Sequence, residues 1–191
     1  MKTDLREYVQ RVKLFSKDQY TFITEELDFI DAWREYPYNS PEDNICVQDQ
    51  PDIVYYDCKF NQDEPLAAFV HGKINEAVDS YVNDFLKDLP WFSYTTGFGK
   101  VHFIKYPVGA GMGTHCDHVR NQFDGTKRGI PILTVLGCLS EYEGGEILFW
   151  EKDKIKLTPG EVLIFPANFL YPHEVLKVEK GTRYSFVNWI W

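Results

Sequence analysis

Residues 130–150 read IPILTVLGCLSEYEGGEILFW. The runs IPILTVLGCL and GEILFW are short and rich in aliphatic, β-branched and aromatic residues, which is strand texture. The same texture recurs on either side. KVHFIKY precedes it, and DKIKL, GEVLIF, HEVLKV and RYSFVNWIW follow. Gly, Pro and Asp separate these runs at intervals of about ten residues, the spacing of a sandwich or barrel. Several runs alternate apolar with polar residues, so one face is buried more than the other. From residue 98 onward the sequence predicts about eight strands.

The first half differs. Ser16 followed by Gln19 predicts a capping box. Behind it Tyr20, Ile23, Leu27, Ile30 and Trp33 recur at helical spacing and predict one buried stripe. A second helix is expected from about Pro65 to Leu86, with Pro65 in its first turn. Leu66, Phe69, Val70, Ile74, Ala77, Val78, Tyr81 and Phe85 give it a wide apolar face. His71 lies near that face as a core or surface histidine. Residues 36–61 are punctuated by Pro, Asn and Asp and predict a loop with one short strand. The fold class is therefore α+β and mainly β, a jelly roll with N-terminal supporting helices. The expected organisation is a single domain over 1–191: helical support and loop over 1–97, the β core over 98–191.

With 191 residues, 44% of them hydrophobic and 16% aromatic, the chain can bury a sizeable core. The net charge is −9, from 29 acidic and 20 basic side chains. That disfavours a nucleic-acid partner, which needs clustered Lys and Arg. It fits a peptide, protein or small-molecule substrate. No apolar run is long enough to span a membrane, and the N-terminus lacks an apolar signal core. A soluble cytoplasmic protein is expected, without a membrane partner. Cys46, Cys58, Cys116 and Cys138 form no CxxC, so reduced thiols are expected rather than a disulfide framework.

Residues 113–118, GTHCDH, concentrate ligand chemistry in a chain with five histidines. In a strand, positions i and i+2 share a face. His115 and Asp117 would project together, and Cys116 and His118 away. An imidazole and a carboxylate on one face are two members of a facial triad. His173, 56 residues beyond Asp117, is the candidate third. Two His and one carboxylate leave adjacent coordination positions open and suit non-haem Fe(II). Ten residues past His173, Arg183 and Ser185 share a face of the last strand. A guanidinium forks two hydrogen bonds onto a carboxylate, and a hydroxyl can add a third. That pair suits the far end of a bound dicarboxylate. His102 has no assigned role.

In this order the motifs resemble the Fe(II)/2-oxoglutarate-dependent oxygenases, and most closely the prolyl 4-hydroxylase-like branch. The resemblance runs from about residue 101 to 191. It is carried by YPVGAGMGTHCD, LTVLGCLSEYEGGEILFW with its Gly144-Gly145-Glu146 turn, LTPGEVLIF and HEVLKVEKGTRYSF. It implies a double-stranded β-helix in which His115, Asp117 and His173 hold Fe(II) as the catalytic centre. Arg183 would pair with the distal carboxylate of 2-oxoglutarate, assisted by Tyr106 and Ser185, with Thr134 facing the same pocket. O2 is the implied oxidant and ascorbate a candidate reductant. The implied reaction is C–H hydroxylation, with peptidyl proline as the nearest substrate class and succinate and CO2 as co-products. A free amino acid or other small molecule is the alternative substrate. A cupin-like metal protein or a non-catalytic jelly-roll module is the alternative of another class.

The chain departs from the branch at three places. Arg183 stands where Lys is usual, Cys138 where Tyr is frequent in the strand before the Gly-Gly-Glu turn, and Tyr184 where Trp is usual. Candidates for substrate contact are Arg120, in the loop 119–129, and Tyr55, Tyr56 and Trp150 as an aromatic wall. The small free-standing domain resembles bacterial or viral members.

Overall fold

The computed structural model describes residues 4–35, 54–58, 65–89, 92, 97–117, 122–123, 128–129 and 131–191. A single 3₁₀ turn, Leu5–Tyr8, leads into β1 (Gln10–Lys13) and α1 (Lys17–Asp28). Next come β2 (Arg34–Glu35), β3 (Val54–Cys58) and α2 (Pro65–Ser80), which ends in a wide turn over Tyr81–Phe85. The remainder is β: β4 (Val101–Tyr106), β5 (Met112–His115), β6 (Gln122–Phe123), β7 (Arg128–Gly129) and β8 (Leu133–Cys138). Then follow β9 (Tyr142–Gly144), β10 (Ile147–Phe149), β11 (Asp153–Ile155) and β12 (Glu161–Pro166). The last are β13 (His173–Val175), β14 (Val178–Gly181) and β15 (Arg183–Ile190).

The larger sheet has the order β1-β12-β8-β15-β4-β3-β2, and the smaller β11-β10-β13-β5. Two short ribbons, β14-β9 and β6-β7, complete the antiparallel jelly roll. Among the described residues, no helix is long and apolar enough to cross a membrane.

The central strands of the larger sheet are buried on both faces, and strand alternation sorts their side chains into two cores. Phe103, Leu133, Val135, Val162, Ile164, Tyr184 and Phe186 face the helices. Ile23 and Leu27 of α1 and Val70, Ile74 and Val78 of α2 pack on the same side. Ile104, Tyr106, Leu136, Cys138, Leu163, Phe165 and Val187 face the space between the sheets. There they meet Ile147, Phe149 and Val175 of the smaller sheet. Arg183 and Ser185 alternate with Tyr184 and Phe186, so they point into that second, inner core.

The capping box at Ser16 and Gln19 is present, both hydrogen bonds included. α1 stops at Asp28, however, and Ile30 and Trp33 pack on the core from beyond its end. The chain leaves the helix to form β2, and pairing of β2 with β3 replaces the helical hydrogen bonds. α2 follows its expected span, and its last turn closes with Leu86 N–H donating to the Tyr81 carbonyl. His71 is half-buried against Phe98, ring centroids 5.2 Å apart, and burial lowers its pKa. The expected strand within 36–61 is β3; the other residues of that segment lie outside the described residues. Two further corrections concern the strands. Among the described residues after 98 there are twelve strands rather than about eight, because very short ribbons and hairpins add to the long runs. The first half is not mainly helical support alone: β1, β2 and β3 complete both edges of the larger sheet.

Gly137 in β8 is required by packing. A Cβ there would lie 2.0 Å from the Phe186 ring. That ring is fully buried and wedged against Phe15 and Phe103, so it has nowhere to go. Gly137→Ala is expected to destabilise the protein by about 1–3 kcal/mol, the usual range for overpacking. A lowered denaturation midpoint would show this; an unchanged one would contradict it.

β1 is an edge strand held by charge. Arg11 and the Thr158 backbone N–H both donate to the Glu161 carboxylate. Partial burial alone would raise the Glu161 pKa, but these donors hold it at about 2. A carboxylate depressed on folding stabilises above its unfolded pKa, about 4.3, and loses that contribution as pH falls. Wild type is therefore expected to lose stability between about pH 4.5 and 2 more steeply than Glu161→Gln. Denaturation midpoints measured across that window test it; parallel curves for the two proteins would contradict it.

Candidate metal centre

β5 and β13 bring His115 and His173 face to face as directly paired residues. Their ring centroids lie 4.4 Å apart. Asp117 lies in the turn just past β5 rather than in the strand, yet its carboxylate meets both rings. His115 Nε2 is 3.6 Å from Asp117 Oδ1, and His173 Nε2 is 3.9 Å from Oδ2. One ligand atom from each residue lies within 4.8 Å of the others. This is the only such group of His, Cys, Asp or Glu among the described residues.

The backbone sets the histidine tautomers. His115 Nδ1 lies 2.8 Å from the Gly113 carbonyl, and His173 Nδ1 3.1 Å from the Tyr171 carbonyl. A carbonyl can only accept, so each Nδ1 carries the proton. Each Nε2 is left with a lone pair aimed at the shared point. Phe149 and Phe165 pack on the His173 ring, with centroids 5.4 and 5.1 Å away. His173 is fully buried. Burial, reinforced by neighbouring His115, lowers its pKa against the opposing pull of Asp117 and the Tyr171 carbonyl, to about 4. It is a neutral imidazole at physiological pH, the form that binds a metal. Thr134 on β8 donates to Asp117 Oδ2 at 2.6 Å. It orients the carboxylate rather than merely lining the pocket. His173 and Asp117 side chains are 2% and 6% exposed and His115 is 17% exposed, so the centre opens on the His115 side. Cys116 turns away, toward the Phe169 carbonyl. Cys116 and Cys138 are free thiols.

The inner core holds a second polar feature. Arg183 is completely buried, and its Nε, Nη1 and Nη2 find no hydrogen-bond partner among the described residues. An unpaired guanidinium in such a place costs several kcal/mol, which a bidentate carboxylate would offset. Tyr106 pairs with Arg183 across β4 and β15, and its ring lies 4.9 Å from the guanidinium carbon. Burial pushes the Tyr106 phenol up, although Arg183 pulls it down, so it is a neutral donor. The Asp117 charge adds to the upward push on this phenol. Ser185 faces the same interior but donates to the Gly137 carbonyl at 2.8 Å, tying β15 to β8. The donor set fits the expected groups: three converging ligands for a divalent ion and an unpaired cation for a dicarboxylate.

The remaining candidates divide. Trp150 follows β10 with φ of 51°, a strained value for a bulky residue. Its Nε1 donates to the Leu170 carbonyl, and its ring packs near Phe149 and Tyr171. It borders an open groove with Asp4, Leu5, Arg6 and Lys152. Tyr55 and Tyr56 lie on β3, paired with Ile104 and Phe103 of β4. Arg120, like His118, lies outside the described residues. His102 packs on Trp189 with ring centroids 4.8 Å apart. One residue was not singled out from sequence: Tyr142, whose ring lies 5.6 Å from the Arg183 guanidinium carbon. Its signal was a phenol four residues past Cys138, where the branch's tyrosine is missing.

Residues 101–191 match the family model described as the 2OG-Fe(II) oxygenase superfamily. A PKHD-type hydroxylase of Gloeothece citriformis is 30% identical over 125 residues, covering 62% of this chain and 56% of that protein. A PKHD-type hydroxylase of Beijerinckia indica is 34% identical over 95 residues, covering 46% and 41%. The chain thus spans about half the length of these curated relatives. Among solved structures, a Pseudomonas putida prolyl-4-hydroxylase superposes with TM-score 0.69 at 15% identity, covering 96% of this chain and 91% of that one. A Trichoplax adhaerens prolyl hydroxylase, solved with a hypoxia-inducible-factor oxygen-degradation-domain peptide, gives 0.71 at 18%, covering 97% and 84%. At those identities the likeness is one of fold.

Proposed function

Because residues 101–191 of this chain match the family model of the 2OG-Fe(II) oxygenase superfamily, we propose that the protein is an Fe(II)- and 2-oxoglutarate-dependent dioxygenase that hydroxylates peptidyl proline. One observation carries the proposal. Three metal-ligand groups converge in the same interior as a buried guanidinium without a hydrogen-bond partner. His115, Asp117 and His173 would hold iron, and Arg183 with Tyr106 would hold the distal carboxylate of 2-oxoglutarate. Bound iron and 2-oxoglutarate supply the activation of O2, with succinate and CO2 as co-products. Ascorbate is the proposed external reductant.

The protein's own contribution is placement. Gly113 and Tyr171 carbonyls fix the ring tautomers, and Thr134 fixes the carboxylate. Phe149 and Phe165 exclude water from the His173 side, which leaves approach from the His115 side. A prolyl substrate is supported by the fold shared with prolyl hydroxylases. Trp150, whose ring packs near Phe149 and Tyr171, is the proposed aromatic wall.

The test is a turnover assay with Fe(II), 2-oxoglutarate, O2 and ascorbate. Proline-rich peptides and free amino acids are compared for succinate formed above the uncoupled background. The expected result is stimulation by peptides, with one oxygen added to proline. Stimulation by free amino acids alone would replace the substrate class. No 2-oxoglutarate consumption under any condition would overturn the activity.

A further inference from the structure

We propose that Tyr142 is a co-substrate-binding residue, a further hydrogen-bond donor to the distal carboxylate beside Arg183 and Tyr106; this rests on the 2-oxoglutarate reading above. A carboxylate offers about four lone-pair sites, and an arginine fork satisfies two of them. In a buried socket the others need protein donors, because an unmet acceptor there is costly. The inner face around Arg183 offers few. Ser185 already donates to Gly137. Cys138 is a weak donor, and its Sγ is turned to the Ser140 carbonyl. Tyr106 supplies one donor, with its ring 4.9 Å from the guanidinium carbon.

Tyr142 is a second phenol beside the guanidinium. It is 8% exposed, and its ring lies 5.6 Å from the Arg183 guanidinium carbon. Burial, opposed by Arg183, keeps that phenol protonated and able to donate. Its present acceptor, the Leu157 carbonyl, is 3.3 Å away, a long bond that a charged oxygen would outcompete.

The ring is also held from behind. Lys156 Nζ lies 3.5 Å from its centroid and donates to the Tyr142 and Gly144 carbonyls at 3.0 and 2.6 Å. Tyr142 therefore stands between two cations, Lys156 on its ring and Arg183 beside it. Any side chain at Gly145 would press on the ring, with a Cβ 3.0 Å from it. A clamped phenol loses little freedom when it takes up a ligand.

The experiment is anaerobic titration of the Fe(II)-loaded full chain with two keto acids. 2-Oxoglutarate carries the distal carboxylate, and 2-oxopentanoate has the same keto-acid head without it. Tyr142→Phe is expected to weaken 2-oxoglutarate about tenfold to a hundredfold, as for a hydrogen bond to a charged group. Its affinity for 2-oxopentanoate should equal that of wild type. Lys156→Met should weaken 2-oxoglutarate in the same selective way, to a smaller degree. Unchanged 2-oxoglutarate affinity in Tyr142→Phe would overturn the proposal. Equal losses for both keto acids would also overturn it, because they would mark Tyr142 as merely structural. If wild type binds neither keto acid, the co-substrate reading itself falls and takes this proposal with it.

Discussion

Replacing Asp117 with Ala is expected to abolish turnover while the protein remains folded. Asp117 supplies the only carboxylate of the triad, and its oxygens face both histidine Nε2 atoms. A metal centre stabilises a transition state by several kcal/mol, and each 1.36 kcal/mol is a factor of ten. Loss of activity on the order of 10³-fold or more follows. The fold should survive. The substitution leaves the Thr134 hydroxyl without its acceptor, a cost of about 1–3 kcal/mol. It also removes a buried charge beside the buried His173 ring, which offsets part of that cost. Circular dichroism and a melting curve check the fold, and 2-oxoglutarate turnover checks the site. Full activity in a folded Asp117→Ala protein would remove the ligand assignment.

Replacing Arg183 with Met should separate binding from stability. Truncating one member of a buried charged pair costs about 2–5 kcal/mol of binding, so 2-oxoglutarate affinity should fall on the order of 100-fold. The ligand-free protein is expected to melt no lower than wild type. Methionine fills much of the same volume and removes a guanidinium that has no hydrogen-bond partner among the described residues. A structural arginine would behave in the opposite way. Thermal scans with and without 2-oxoglutarate show both effects at once: the ligand-induced rise should disappear, and the baseline should hold. A large drop in the ligand-free melting temperature would mean that Arg183 supports the fold rather than a ligand.

The jelly roll was legible because its strands are bounded by Gly, Pro and Asp and several of them alternate. That alternation placed Arg183 and Ser185 on one face and Tyr184 and Phe186 on the other, as the two cores confirm. His115 and Asp117 were expected together on strand periodicity. They are together, although the strand ends at His115 and a turn carries Asp117 inward. The direct pairing of His115 with His173 joins residues far apart in sequence, and no local pattern encodes that register. β1 escaped notice because Gln10–Lys13 is a half-exposed edge strand rich in polar side chains. The end of α1 escaped because the Ile30 and Trp33 positions continue the apolar pattern while pairing of β2 with β3 takes the backbone elsewhere. The second roles of Thr134 and Ser185 depend on rotamers and partners in neighbouring strands. Residue type alone gave their face but not their partner. Tyr142 belongs to the same class: its position follows from the Gly144-Gly145 turn, where both residues have positive φ.

The most direct measurement is the visible spectrum of the metal-free protein after anaerobic addition of Fe(II) and then 2-oxoglutarate. The keto acid chelating iron held by His115, Asp117 and His173 should produce a metal-to-ligand charge-transfer band, absent with Fe(II) alone. Folded, iron-loaded protein that shows no band on saturation with 2-oxoglutarate would contradict the assignment of this interior as an oxygenase site.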